Sequence, residues 1–325
     1  MRYFGFSFAV GLIGLLLAFL VGGLKAVYLT AILAVLEVSL SFDNAVVNAK
    51  ILKTMDEVWQ KRFLTWGILI AVFGMRFIFP ILIVAIAANL GIYETVHIAL
   101  FEPQKYHEVL LSTEKLIYAF GGAFLWMVFS DFLFEEKEIR WIKPIEKTAE
   151  KFGKINNISL IVAIIIGIIV VYDAKDYKIA IAYFLGLLSY SILKGVNEAL
   201  SSEGVKNGLL GLIYLEVLDA SFSFDGVIGA FAITPNIILI MIGLGIGAMF
   251  VRSLTIWMVK EGVLDEYKYL EHGAHYAIGV LAVIMLLKIF FHISEVVTGT
   301  LGLLLLALAF LHSKWEKGKK DEKRV

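Results

Sequence analysis

The chain has 325 residues, 60% of them hydrophobic and 18% charged, with a strongly positive mean hydropathy, a balance that ordinary soluble domains do not carry. Its 29 basic and 29 acidic residues cancel, so no global field points to nucleic acid or to an acidic partner, and the absence of cysteine excludes disulfides, thiolate metal sites and cysteine catalysis. The expected class is an all-α polytopic membrane protein.

A spanning helix needs about 20 mostly apolar residues. Ten stretches qualify, approximately 4–24, 27–49, 63–88, 116–134, 156–173, 177–196, 209–233, 236–259, 275–293 and 294–312. The first, behind Arg2, is longer than a signal-peptide core and lacks a small-residue cleavage site, so it reads as a membrane helix. Only His292, Ser294 and Glu295 divide the last two, and nine helices is the alternative count.

Lysine and arginine in short loops set the orientation. The segment 135–156 carries Lys137, Arg140, Lys143, Lys147, Lys151 and Lys154, and the tail after Lys314 is also basic. Both are expected to be cytoplasmic, as is the link with Lys50, Lys53, Lys61 and Arg62, whereas the acidic link around Glu94, Glu102, Glu108 and Glu114 is expected outside. That pattern predicts both termini on the cytoplasmic side of the cytoplasmic (inner) membrane.

The phrase Glu37-Val-Ser-Leu-Ser-Phe-Asp43 returns 182 positions later as Asp219-Ala-Ser-Phe-Ser-Phe-Asp225. Gly67, Ala71 and Arg76 match Gly243, Gly247 and Arg252 at a constant offset of 176, and separately Tyr118-Ala-Phe-Gly121 matches Tyr276-Ala-Ile-Gly279. About ten helices in two five-helix repeats follow. Because five is odd, the repeats are inverted, an arrangement common among transporters. The expected domains are a first repeat at 1–173, including the basic loop 135–156, a second at 174–313, and a basic tail at 314–325. Chance similarity between apolar helices accounts for the glycines and tyrosines but poorly for the Ser-Phe-Asp recurrence.

Carboxylates at membrane depth are costly and mark functional sites by default. At about 100° per residue, Glu37, Ser41, Asn44 and Asn48 share a stripe, while Ser39 and Asp43 point roughly 120 to 160° away. Either the helix is interrupted near Ser41-Phe42-Asp43 or each carboxylate meets a different neighbour. In the second phrase Glu216, Asp219 and Ser223 share a face, and Gly226 stands where the first phrase has Asn44. The five acids Glu37, Asp43, Glu216, Asp219 and Asp225, the hydroxyls of Ser39, Ser41, Ser221 and Ser223 and the amide of Asn44 form a hard-oxygen set suited to Mn²⁺, Mg²⁺ or Ca²⁺. Close carboxylates share protons as a coupled set, so proton-for-metal exchange is the expected consequence.

Arg76 and Arg252 are expected as internal counter-charges, with an anion pathway as the alternative. Lys194 and Lys288 are expected to snorkel to the interface, Asp131 to be interfacial, and His97, His107, His272 and His275 to be solvated loop or boundary residues.

The two acidic phrases resemble the signature of the TerC family, which belongs to the broader LysE-like transporters; the first runs Leu36-Glu37-Val-Ser-Leu-Ser-Phe-Asp43-Asn44, and the second ends Ser223-Phe-Asp225-Gly226. The resemblance implies a divalent-cation exporter rather than an enzyme, with manganese the favoured substrate. By motif position it places Glu37, Asp43, Asn44, Asp219 and Asp225 at the metal. The expected partners are metal ions, protons and the lipid bilayer; no nucleic acid is expected, and the oligomeric state is unassigned. The alternatives are an intramembrane aspartate-dependent hydrolase, for which the sequence lacks a recognisable signature, and a membrane-protein assembly factor.

Overall fold

The computed structural model of the chain describes residues 3–70, 74, 78–201, 208, 211–213, 215–216, 226–227, 230, 233–234 and 236–322. Among these, every regular element is helical, and five helices are long and apolar enough to cross a membrane. In chain order the helices are α1 Gly5–Leu40, α2 Phe42–Lys53, α3 Glu57–Leu69, α4 Phe79–Ala87, α5 Ile92–Phe101, α6 Pro103–Phe134, α7 Lys143–Phe152, α8 Ile158–Ala174, α9 Tyr177–Ser201, α10 Ile237–Lys260, α11 Val263–Glu266, α12 Leu270–Lys288 and α13 Glu295–Glu322. The five candidate spans lie in α1, α6, α9, α10 and α12. The protein is an all-helical membrane protein.

The chain divides into two compact units, one of residues 1–117 with 197–257 and the other of 118–196 with 258–325. Each unit is built from two separate segments of the chain.

In the first unit, α1 is a hairpin of two limbs. Gly23 adopts φ 66° and ψ −155°, a conformation essentially reserved for glycine. The turn is confirmed by what each limb touches on α10. On the first limb, Ser7 Oγ donates to the Met249 carbonyl (2.9 Å), and a methyl group on Gly14 would stand 2.8 Å from Ile246. Farther along that limb, Ala18 packs with Leu239. On the second limb, methyl groups on Gly243 and Gly247 would stand 2.5 Å from the Cβ atoms of Leu33 and Glu37, respectively. Positions fall along α10 as they rise along the first limb, and rise together on the second, so the limbs run in opposite directions. The expected stretches 4–24 and 27–49 are these limbs, with the second continuing into α2. Phe6, Leu12 and Leu20 are exposed on the outer face of the first limb, as lipid contact requires.

The acidic link expected outside is largely helical. The stretch expected at 116–134 begins instead at Pro103, because Tyr106, Leu110, Thr113 and Ile117, at spacings of three and four, form a buried stripe that carries the helix through polar sequence.

In the second unit, α6 runs antiparallel to α12: a methyl group on Gly122 would stand 2.8 Å from Leu286, and one on Gly279 2.7 Å from Phe129. α12 and α13 are separate helices forming an antiparallel hairpin, with Gly273 against Ala309 at one end and Gly302 facing Ala277 nearer the turn. Tyr183 donates to the Ala163 carbonyl (2.7 Å) and ties α9 to α8. One expectation fails in this unit. Lys288 is buried, its Nζ 5.2 Å from the Tyr118 ring centroid, instead of snorkelling. Lys194 and Tyr190 both donate to Asp131 Oδ2 at 2.6 Å, so this acid is an anchor between α6 and α9.

Candidate functional site

The first acidic phrase lies where the second limb of α1 meets α2. Ser41 leaves helical geometry at φ −105° and ψ 14°, yet its N–H still donates to the Glu37 carbonyl (2.9 Å) and its own carbonyl accepts from Ala45 (3.1 Å). The helix is therefore interrupted at one residue without being unwound. Hydrogen bonds give the two carboxylates different neighbours, Ser41 Oγ for Glu37 and the Asn44 N–H for Asp43.

Glu37 is 0% exposed and Asp43 5%, and Ser41, Asn44 and Asn48 are buried with them, while Ser39 is half-buried. Ser41 Oγ donates to Glu37 Oε1 (2.9 Å). Asp43, in the first turn of α2, accepts the Asn44 backbone N–H at Oδ1 (2.9 Å), and the helix N-terminus there favours negative charge.

Glu37 also meets a residue that follows the second acidic phrase. A methyl group on Gly226, the residue after Asp225, would stand 3.1 Å from Glu37 Oε2. Gly247 packs against the Cβ and Cγ of the same side chain. The missing side chain at 226 lets backbone approach the carboxylate where an asparagine would crowd it. Asp219, Asp225, Ser221, Ser223 and Arg76 fall outside the described residues. Among the described residues, no three acidic or histidine side chains form a metal cage.

Glu216 is taken up differently. Its carboxylate accepts two hydrogen bonds from Arg252 Nη2, at 2.8 and 3.0 Å, with both side chains buried. Arg252 Nη1 donates to the Phe63 carbonyl (3.0 Å), and the guanidinium lies 4.3 Å from the Phe63 ring centroid. Arg252 is thus a counter-charge held by α3. Nothing in the local sequence around Phe63 announces this partner, which is 189 positions away.

In the second unit, α7 carries a further buried carboxylate that sequence reading missed. Glu146 accepts from the backbone N–H groups of Trp141 (3.0 Å) and Ile142 (3.4 Å) and lies 3.0 Å from His272 Nδ1. His272 and His275 are buried in α12, with His275 stacked on Phe132 at 3.9 Å, so neither is a solvated boundary residue. Burial pushes the Glu146 carboxyl up, but its bonds to His272, Ile142 and Trp141 outweigh that and hold it below the ordinary range. A depressed carboxylate stabilises above its unfolded pKa and loses that contribution as pH falls through the folded one. Docking of α7 is therefore expected to hold at neutral pH and weaken on acidification below 4.5. Glu146→Gln is expected to cost about 1–3 kcal/mol locally, read at neutral pH as faster tryptic cleavage at Lys147 and Lys151. An unchanged cleavage rate would count against the anchor.

No curated protein and no solved structure matches the chain. A family model does match, over residues 42–320, from the residue before Asp43 to the last turn of α13. The chain belongs to the family described as "Protein of unknown function (DUF475)".

Proposed function

We propose that this protein moves a divalent cation, manganese favoured with Ca²⁺ or Mg²⁺ as alternatives, across the cytoplasmic membrane in exchange for protons. The carrying observation is the fully buried Glu37 carboxylate on an interrupted helix, with backbone that follows the second acidic phrase brought against it at Gly226. A buried carboxylate set of this kind has two states of comparable cost, proton-bound and metal-bound, and alternation between them is antiport chemistry. In this reading Glu37, Asp43, Asn44, Asp219 and Asp225 hold the ion, and serine hydroxyls complete its shell. Glu216 stays with Arg252 as a structural pair. Ten spans in two inverted five-helix repeats, with both termini cytoplasmic, supply alternating access. The resemblance of the two phrases to the TerC family favours export and manganese.

The test is flux in proteoliposomes under an imposed pH gradient. The wild-type protein is expected to move Mn²⁺, and Asp43→Asn combined with Asp225→Asn to abolish that movement while the protein stays folded in detergent. Mn²⁺ flux that is absent in the wild type, or equal in the double variant, would sink the reading.

A further inference from the structure

The helix α7 presents two faces with different tasks. Glu146 and Ala149 are buried against the second unit, whereas Ile145 and Phe152 are 48% and 52% exposed. Seven residues apart, these two side chains fall within about 20° of each other on a helix, forming one apolar stripe beside the buried face. Lys143, Lys147 and Lys151 are all exposed and lie about 100–180° around the helix from that stripe, on its polar face.

The position of α7 explains an exposed apolar stripe in otherwise polar sequence. α7 connects the end of α6 to the start of α8, and Gly153 packs on the Phe134 carbonyl oxygen at that end of α6. Its anchor, His272, is in the first turn of α12. Just before α7, Trp141 Nε1 donates to His312 Nδ1 (3.0 Å), two residues before α13 turns basic at Lys314. All of these contacts lie where apolar helix surface gives way to charge, which is the level of the lipid headgroups.

We infer that α7 is an interfacial helix, pinned to α12 through Glu146, whose Ile145–Phe152 stripe enters the headgroup layer while the lysines of its polar face attract anionic headgroups from the aqueous side. Lysines near the surface attract anionic headgroups, and an apolar stripe of this size adds membrane contact. The occupant is a lipid surface bearing negative charge, matched by three exposed lysines.

Because the chain has no cysteine, single labels can be placed on the full-length protein. In vesicles of phosphatidylcholine and phosphatidylglycerol, a fluorophore at Ile145→Cys is expected to be quenched by shallow spin-labelled lipids and shielded from aqueous iodide. One at Lys147→Cys is expected to show the reverse. In detergent micelles, retention of phosphatidylglycerol over phosphatidylcholine, read by native mass spectrometry, is expected to fall about tenfold in the variant with Lys143, Lys147 and Lys151 all changed to Gln. Equal iodide access at both labels, or unchanged lipid selectivity, would overturn the proposal. So would an Ile145 label shielded from iodide yet untouched by lipid quenchers, since a second protein copy would then cover the stripe.

Discussion

Replacing Gly247 with valine is expected to separate α10 from the second limb of α1 and to abolish function together with much of the stability of the first unit. Even the first added carbon would stand 2.5 Å from Glu37 Cβ and 2.7 Å from the Ala34 carbonyl oxygen. The second of these is backbone and cannot rotate away. Overpacking costs about 1–3 kcal/mol in ordinary cores, and this position belongs at the upper end. In lipid the association of helices depends on such close approach by small residues, and Gly243 and Gly247 form the Gly-xxx-Gly spacing that permits it. Gly11→Ala is the control on the same helix pair, because its added carbon would meet Ile246 at 3.6 Å, an ordinary contact. Thermal unfolding followed by size-exclusion chromatography should show a large loss for Gly247→Val and little for Gly11→Ala. Similar losses for both would mean that the close approach at Glu37 is not what holds these helices.

The second large effect is expected at Arg252. Arg252→Met leaves Glu216 buried without its bidentate partner and removes the bond to the Phe63 carbonyl. Breaking a buried pair from one side costs about 3–5 kcal/mol, because the surviving charge keeps its desolvation penalty. Adding Glu216→Leu to Arg252→Met should recover most of that loss, since the pair as a whole contributes little net stability. Arg252→Lys should be intermediate, lacking the planar fork that reaches the carboxylate and the Phe63 carbonyl together. Losses that simply add across the double-mutant cycle would contradict the pairing. Under the proposed transport mechanism, a folded Arg252→Met, Glu216→Leu protein retains ion selectivity, in contrast to Asp43→Asn.

Burial of Glu37, Asp43 and Asn44 was legible because a carboxylate inside a long apolar run has little choice but to face inward. The strain on the helix near Ser41 was legible for a geometric reason: two carboxylates six positions apart point about 120° apart on an unbroken helix, and Ser41 is where the backbone leaves helical geometry. Other features depended on partners remote in sequence. Nothing local in Lys143–Phe152 shows that Glu146 faces inward; His272, 126 positions later, determines that. The helical start of α6 was concealed because its residues are polar on one face, and loop composition resembles an amphipathic helix unless the buried stripe is traced by spacing. Glycines raised the same difficulty. Gly243 and Gly247 read as repeat markers, while their physical role, allowing α10 to touch Thr30, Leu33, Ala34 and Glu37, belongs to the packed structure.

The hairpin of α1 also sets an order of events during synthesis. Both limbs find their packing surface on α10, and the bond from Ser7 to Met249 spans 242 positions. Both limbs are therefore complete some 200 residues before α10 begins at Ile237. Until then Glu37 lacks the glycine surface that encloses it, and a charged carboxylate there is expensive in lipid. The waiting hairpin is expected to lean on the insertion machinery. Truncated chains ending before residue 237 should accordingly be far more susceptible to degradation than chains ending after residue 260.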